Sequence, residues 1–431
     1  MKVLMFGWEF PPHISGGLGT ACYGLTRALA GLGDVEISFI VPRAFGDEVP
    51  EDIRLIGANK IPVLKKEVCF SGMEKSFESL EIHSGIVPYL NEEQFLELKN
   101  EESGHTANLV ETDENFMVRF SGGYGSGLYR EIFNYSLIAG IIAREQSFDI
   151  IHAHDWLTFP AGIEAKKVSG KPLVIHVHAT DFDRSGGNVN PKVYSIEREG
   201  MEVADRIITV SNFTRDIVIE KYGIDPGKIT TVYNAVEPPH EDELKKIKKH
   251  ENEKIVTFLG RITLQKGPEY FIEAANLVLK KMDNVRFVMA GSGDMLNPMV
   301  ERVALLGIAD RFHFTGFLRG EDVYRMFSIS DVFVMPSVSE PFGIVPLEAM
   351  QSEVPVIISK QSGVSEIVEN VLKVDFWDTH AMADAIFGLL NYPALSHTIR
   401  SSGKEEVDTM QWKNSALRIR EIYNCLTGGN T

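Results

Sequence analysis

Ser339-Glu340-Pro341-Phe342-Gly343-Ile344-Val345-Pro346-Leu347-Glu348 sets two carboxylates on either side of a proline-glycine break. Pro341 pushes the residue before it out of the helical region, and Gly343 tolerates cap geometry, so the segment predicts a helix beginning near Gly343. Pro346 then falls in the first turn, where its missing N–H is not needed. On one continuous helix the two carboxylates would stand roughly 12 Å apart, at a rise of about 1.5 Å per residue. Glycosidase carboxyl pairs sit about 5 to 9.5 Å apart, so two separate jobs fit better than an acid and nucleophile pair. The N–H groups of Gly343, Ile344 and Val345 at the helix start would suit an anion. A Glu-rich helix entry serving only as a cap accounts for the segment equally well.

Outward from this segment, short β-rich runs alternate with longer amphipathic stretches. The first half reads as strands at Val3–Phe6, Val35–Val41, Asp149–Ala153, Leu173–Val177, Ile207–Val210 and Thr230–Tyr233, with helices between them. The second half repeats the rhythm at Ile255–Leu259, Val285–Ala290, Phe312–Thr315, Val332–Met335, Val356–Ile358 and Leu372–Val374. Such alternation predicts α/β architecture with parallel strands and crossover helices, hence two doubly wound, Rossmann-like domains facing a cleft. The first would span 1–238. Pro238-Pro239-His240 and the charged run after it read as a linker over 239–253, with a second domain over 254–410. The stretch 63–121 breaks the alternation and is expected to be an inserted hairpin or lid. Ligands of open parallel sheets bind at the carboxyl ends of the strands, so the cleft between the domains is the expected site.

Composition narrows the class. The chain has 431 residues, too many for one core, with 44% hydrophobic and 24% charged residues. A net charge of -17 argues against a surface that coats nucleic acid, so any cations that bind an anion must be local. Cys22, Cys69 and Cys425 are odd in number and widely spaced, which suits structural thiols in a reducing compartment. The apolar run Met1–Phe6 is too short for a signal peptide and no run reaches the ~20 apolar residues of a membrane span, so a cytoplasmic protein is expected.

Three motifs fall on strand-to-helix turns. The glycine-rich turn Phe10-Pro11-Pro12-His13-Ile14-Ser15-Gly16-Gly17-Leu18-Gly19-Thr20 follows the first strand and would let a phosphate approach the backbone, or would serve only tight packing. Arg261 ends the first strand of the second half, and Lys266-Gly267 follow shortly after it. A guanidinium fork and a compact ammonium suit a diphosphate; as bare surface charges they would mean nothing. His152-Ala153-His154-Asp155-Trp156 and His176-Val177-His178 put each His-x-His pair on one strand face. The pairs would either ligate zinc, as in a metallohydrolase, or divide between buried hydrogen bonding and a polar pocket. Asp181-Phe182-Asp183 imitates a metal-binding Asp-x-Asp, but Arg184 follows it and predicts a self-neutralised loop.

Glu340 to Glu348, Arg261 with Lys266, the Gly16-Gly17 loop and His154-Asp155-Trp156 together resemble the retaining nucleotide-sugar glycosyltransferases of GT-B architecture, families four and five, the latter holding glycogen and starch synthases. Asn234-Ala235-Val236 and Gln411-Trp412 extend the resemblance over nearly the whole chain. It implies a first domain that binds acceptor, a second that binds the donor's nucleotide diphosphate, and a final segment, 411–431, returning to pack on the first domain. It also implies that Arg261 and Lys266 neutralise the departing diphosphate, joined by N–H groups of Gly17, Gly343, Ile344 and Val345. Glu340 and His154 would meet the transferred sugar, Asn234 would help hold it, and Glu348 would bind the ribose. Leu318 would lie on the nucleobase, with Gly16 and Phe342 completing the donor site. The partners implied are an ADP-, UDP- or GDP-linked sugar and an oligo- or polysaccharide acceptor. No cofactor or metal is implied, since cations and amides cover the phosphates.

One departure limits the resemblance. Family-five glycogen synthases carry a lysine two positions before the double glycine, where this chain has Ile14. That shifts the reading towards family four and leaves an α-glucan product as a lean. The alternatives are a nucleotide-sugar 2-epimerase of the same fold, a metallohydrolase using the histidine pairs, and a sugar-binding protein in which the two cations would have no role.

Overall fold

The computed structural model describes residues 1–14, 16–64, 109–111, 115–125, 127–237 and 253–428. The linker expected at 239–253 lies outside these residues except for its last one, as do Cys69 and most of the 63–121 stretch.

In chain order the strands are β1 (Lys2–Phe6), β2 (Glu36–Val41), β3 (Arg54–Gly57), β4 (Pro62–Leu64), β5 (Leu109–Glu111), β6 (Asn115–Val118), β7 (Ile150–His154), β8 (Leu173–Val177), β9 (Arg206–Thr209) and β10 (Ile229–Thr231). The second half supplies β11 (Lys254–Leu259), β12 (Val285–Ala290), β13 (Phe312–Gly316), β14 (Val332–Met335), β15 (Val356–Ser359) and β16 (Leu372–Val374). They form a sheet of seven, ordered β10-β9-β8-β7-β1-β2-β3, and a sheet of six, ordered β13-β12-β11-β14-β15-β16, parallel throughout. These are the two doubly wound domains read from the alternation. Sheets covered by helices on both faces need strands apolar on both faces, and every residue of β7, β8, β14 and β15 is buried. A three-stranded antiparallel sheet, β4-β6-β5, stands in the stretch where the alternation broke.

Strand order reverses between β1 and β7 in the first sheet and between β11 and β14 in the second. The loops leaving those strands splay to opposite faces and open a crevice at each reversal. The glycine-rich loop after β1, Asp155 after β7, Arg261 after β11 and Glu340 after β14 all occupy those crevices.

The helix Trp412–Thr427 belongs to the second half of the sequence but packs on the first sheet. Its Trp412, Ala416, Ile419, Ile422 and Tyr423 join the cluster built on β1, β2 and the helix Gly17–Ala30. Trp412 lies so close to Gly24 that a Cβ there would come within 2.5 Å of its indole nitrogen. Tyr423 reaches further in, its hydroxyl 2.5 Å from His152 Nδ1. No helix among the described residues is long and apolar enough to cross a membrane.

Candidate active site

The second sheet's crevice brings Lys266 and Glu340 into direct contact. Lys266 sits in a single 3-10 turn, Leu264–Lys266, closed by Gly267 in the left-handed region at φ 64°. A Cβ at Gly267 would come within 2.2 Å of the Pro336 carbonyl, so only glycine allows the turn to lie against the loop after β14. Val338 N–H donates to the Gln265 carbonyl at 2.9 Å and joins the two loops. Across that seam Lys266 Nζ donates to Glu340 Oε2, and the Ser337 hydroxyl donates to the same oxygen at 3.1 Å. Their side chains are only 20% and 8% exposed, which rules out a pair of solvated surface charges. The Glu340 backbone is pinned as well, its N–H on the Gln361 carbonyl at 3.0 Å and its carbonyl accepting from Gly363 N–H at 2.8 Å. Arg261 precedes that turn, and its Nη2 donates to Gln265 Oε1 at 3.5 Å.

The helix expected near Gly343 begins two residues later, at Val345, and runs to Gln351. Gly343 adopts φ 100°, a left-handed conformation that cannot belong to a right-handed helix, and so forms the turn before it. Pro346 is in the first turn. Ile344 packs against the first domain's cluster, together with Leu18. Glu348 points from the first helical turn; it is half-buried, and burial pushes its pKa up to about 7. Phe342 is 2% exposed and its ring belongs to the core around β14 and β15, so its side chain supports the loop from behind.

On the first domain's side, Gly16 and Gly17 start the helix Gly17–Ala30. A Cβ on either would meet nothing within 4 Å, and neither has a left-handed φ, so packing within the chain gives no reason for glycine at these positions. Asn234 is 8% exposed just beyond β10, and Leu318 is half-buried beside Phe317.

The histidines form a single stack. β7 and β8 pair with His154 opposite His176, so alternation within each strand and register between them put His152, His154, His176 and His178 on one face. His152 and His154 stack at 4.3 Å and 20°, His176 and His178 at 4.2 Å and 24°. Burial holds His152 and His178 at about 3 and His154 and His176 well below their ordinary value, so all four are neutral imidazoles. His154 Nδ1 lies 3.0 Å from His178 Nε2, a hydrogen bond; His154 itself is 1% exposed and His178 9%. A metal bound by imidazole lies near the ring plane at about 2.0–2.1 Å from nitrogen. Cys22, His154 and His178, and likewise His152, His154 and His176, each bring one ligand atom within 4.8 Å of the others, so both sets could hold an ion.

Arg184 corrects an expectation read from the sequence. Asp181–Ser185 is a short helix whose carboxylates cap backbone, and Arg184 turns away from them to Asp155 at 2.6 Å and Glu197 at 3.0 Å. Those three side chains are at most 5% exposed. Even so, burial outweighs Arg184 and the Tyr222 hydroxyl and lifts Glu197 to about 8. The network frees Asp183 Oδ1 to accept from the Ser339 hydroxyl at 2.6 Å, one residue from Glu340. Two more contacts join the domains nearby. Ser211 Oγ donates to the Pro341 carbonyl at 2.5 Å, and Glu366 accepts from the N–H groups of Asn212 and Phe213 at 2.9 and 2.6 Å, capping the helix Asn212–Tyr222 from the other domain. Ser339 stands beside Glu340 in the sequence but offers no sign of its partner there, and Glu366 offers none at all.

Residues 108–239 match the family described as glycosyltransferase family 4, and residues 240–406 match glycosyl transferases group 1. The chain is 27% identical to an uncharacterized glycosyltransferase of Methanocaldococcus jannaschii over 98% of both chains. It is 29% identical to alpha-maltose-1-phosphate synthase of Mycolicibacterium smegmatis over 66% of this chain and 80% of that one. It is 23% identical to glycogen synthase of Mycobacterium tuberculosis over 98% and 94%. Among solved structures, sucrose-phosphate synthase from Thermosynechococcus elongatus superposes with a TM-score of 0.71 at 17% identity over 100% of both chains. HepE of Anabaena, in complex with UDP and glucose, gives 0.68 at 16% over 99% and 100%. With two parallel sheets meeting at their switch points and both halves matched in order, the chain belongs to the group 1 glycosyltransferases of GT-B fold.

Proposed function

We propose that this transferase moves a hexosyl unit, with retention of configuration, from a nucleotide diphosphate sugar to a carbohydrate acceptor, and needs no metal to do so. The contact between Lys266 and Glu340 carries the reading, because it sets an ammonium and a carboxylate side by side at the strand reversal where a donor binds. Arg261 and Lys266 meet the diphosphate, and the turn Gly343-Ile344-Val345 offers it backbone N–H groups. Glu340, His154 and Asn234 hold the sugar, and Glu348 accepts from the ribose hydroxyls. The bond from the anomeric carbon to the phosphate oxygen breaks with its electron pair going to the diphosphate. The acceptor oxygen bonds to the same face of that carbon, and its proton passes to the leaving phosphate. Charge that grows on the diphosphate is stabilised more than charge in the ground state, so the cations act on turnover more than on binding.

The relatives' names support a sugar nucleotide as donor, HepE having been solved with UDP and glucose, and a glycogen synthase among the relatives supports an α-glucan lean. We place the protein in the cytoplasm; its described cysteines, Cys22 and Cys425, are free thiols, which suits a reducing compartment. The test is nucleotide release from ADP-, UDP- and GDP-sugars with and without maltooligosaccharide, with the product anomer read by NMR. Lys266→Ala and Glu340→Ala are each expected to lower kcat by ~100-fold or more with an unchanged circular dichroism spectrum. Near-normal turnover in both variants refutes these roles for Lys266 and Glu340. Donor consumed equally fast without acceptor points instead to a 2-epimerase.

A further inference from the structure

A second cleft, of about 190 Å³, opens at the carboxyl ends of β1 and β2 and receives one residue from the second domain. Its buried end is made by Trp8, Glu9 and Tyr124, which are 3%, 8% and 1% exposed. The Tyr124 hydroxyl donates to Glu9 Oε1 at 2.6 Å and fixes that carboxylate in place. Its outer end carries Arg43, Phe45 and, from the loop after β13, Arg319. The Arg43 guanidinium lies 4.3 Å over the Phe45 ring, and that of Arg319 lies 5.1 Å over Phe317.

Several buried or half-buried arginines of the molecule are neutralised by carboxylates. Arg27 pairs with Glu51 and Glu237, Arg184 with Asp155 and Glu197, and Arg286 with Glu253. Among the described residues, neither Arg43 nor Arg319 has a carboxylate within 4.0 Å, although acids outnumber bases 60 to 43 in the chain. Each instead lies over an aromatic ring, which limits how far it wanders, and Arg43 Nη1 donates to the Ser121 carbonyl at 3.4 Å. A planar guanidinium edge matches phosphate oxygens two at a time. The buried end suits the rest of a sugar, with aromatic faces for the ring and the Glu9 carboxylate to accept from hydroxyls.

We propose that this cleft is the acceptor subsite and that its acceptor is a phosphorylated sugar, with Arg43 and Arg319 on the phosphate and Glu9, Trp8 and Tyr124 on the ring. This rests on the transferase reading and sharpens it. A neutral glycan would need neither cation, and the donor's own diphosphate is served by Arg261 and Lys266. Because Arg319 comes from the opposite domain, the subsite is complete only with the cleft closed.

The test is binding calorimetry on the whole chain with glucose 1-phosphate, glucose 6-phosphate, glucose and inorganic phosphate, each with and without saturating UDP. At least one sugar phosphate is expected to bind ~10-fold or more tighter than glucose, and Arg43→Ala and Arg319→Ala each to lower that preference by ~10- to 100-fold. Equal affinity for glucose and both sugar phosphates overturns the proposal, as does a preference untouched in both variants. Loss of sugar phosphate binding when UDP is added also overturns it, since the anion would then occupy the donor's phosphate site. If the preference and its loss in the variants are found but no donor is turned over, the subsite stands and the transferase reading falls.

Discussion

Replacing His176 with leucine should change how steeply the protein loses stability in acid. In the fold, burial among its neighbours keeps His176 neutral, with His152, His154 and His178 beside it held neutral in the same way. In the unfolded chain each takes up a proton near pH 6.5. A folded pKa below the unfolded one means stability that is complete above pH 6.5 and is lost as pH falls towards the folded value. Each such histidine costs about 1.4 kcal/mol per pH unit across that window, so four cost up to about 5 to 6. Two carboxyls work the other way. Burial lifts Glu197 to about 8 and Glu348 to about 7 from 4.5, so between 4.5 and 6.5 they are protonated in the fold and ionised in the unfolded chain. They offset about two of the four protons, leaving a net loss of about 3 kcal/mol per pH unit. Against a typical stability of about 5 to 15 kcal/mol, that brings unfolding within a few pH units of 6.5.

His176→Leu removes one titrating group, so the slope should fall by about 1.4 kcal/mol per pH unit. Urea denaturation at half-unit steps from about pH 5 to 6.5 measures it, and the slope is independent of any constant packing change the leucine introduces. Neither ring nitrogen of His176 has a hydrogen-bond partner among the described residues, so the substitution strands no donor or acceptor that His176 had satisfied. An unchanged slope refutes the neutral stack. So does stoichiometric zinc in the wild type with an equal loss of stability in the variant at every pH, which is the behaviour of a metal site.

Glu348→Gln removes a carboxyl whose folded pKa is raised, a group whose ionisation destabilises the fold as pH climbs from 4.5 through about 7. The shift is worth at most about 3 kcal/mol, and less for a half-buried side chain, so wild type should gain less stability than the variant between pH 5 and 8; parallel urea curves would refute this. If the ionised form binds ribose, the donor KM of the wild type should also rise as pH falls below 7, and that rise should vanish in the glutamine variant. Ser339→Ala with Glu366→Ala removes four hydrogen bonds between the domains, each to a carboxylate, and should open the cleft by several kcal/mol of lost contact. A larger radius of gyration by solution scattering is expected, and an unchanged one would show that other contacts hold the domains. Gly363→Val puts a Cβ 2.1 Å from the Pro341 carbonyl and 2.5 Å from Ser211 Cβ, so it should lower the melting temperature by several degrees and depress kcat; a variant melting with wild type would refute the packing.

The strands were readable because parallel sheets bury both faces, and Leu173-Val174-Ile175-His176-Val177 or Val332-Phe333-Val334-Met335 admit little else. β3 escaped because Arg54-Leu55-Ile56-Gly57 is a short edge strand with one exposed and two half-buried positions. In the site, residues tied by local chain geometry were legible and those tied by tertiary register were not. Alternation put each histidine pair on one face, but only the pairing of His154 with His176 turns two pairs into one stack. Asp181 and Asp183 are the acids nearest Arg184 in sequence, and proximity along the chain predicts that it neutralises them. All four acids are buried, but the oxygens of Asp181 and Asp183 are occupied by backbone N–H groups and hydroxyls, and the guanidinium goes to Asp155 and Glu197. The two-residue error at the Gly343 helix has the same origin, since Ile344 is drawn to the first domain's cluster and the chain must turn before it can coil.

The segment Ser337–Val345 therefore answers to both domains. Lys266, Ser337, Gln361 and Gly363 fix Glu340 from within the second domain. Asp183 and Ser211 take hold of its neighbours Ser339 and Pro341 from the first. Glu340 has no neighbour on either side that is free to move alone, so separating the domains pulls on the residues that flank the carboxylate. Opening the cleft admits water and substrate and at the same time loosens the geometry that would act on the sugar, while closing it restores both barriers at once. On this arrangement hydrolysis of the donor is suppressed without a separate lid, because the contacts that exclude water are made by the same segment that positions Glu340. It follows that a substitution at Asp183, which faces Ser339 and never needs to touch the sugar, should raise donor hydrolysis relative to transfer. Asp183→Asn should keep that ratio nearer wild type than Asp183→Ala does, since the amide oxygen still accepts from Ser339; equal ratios in the two variants would refute the coupling.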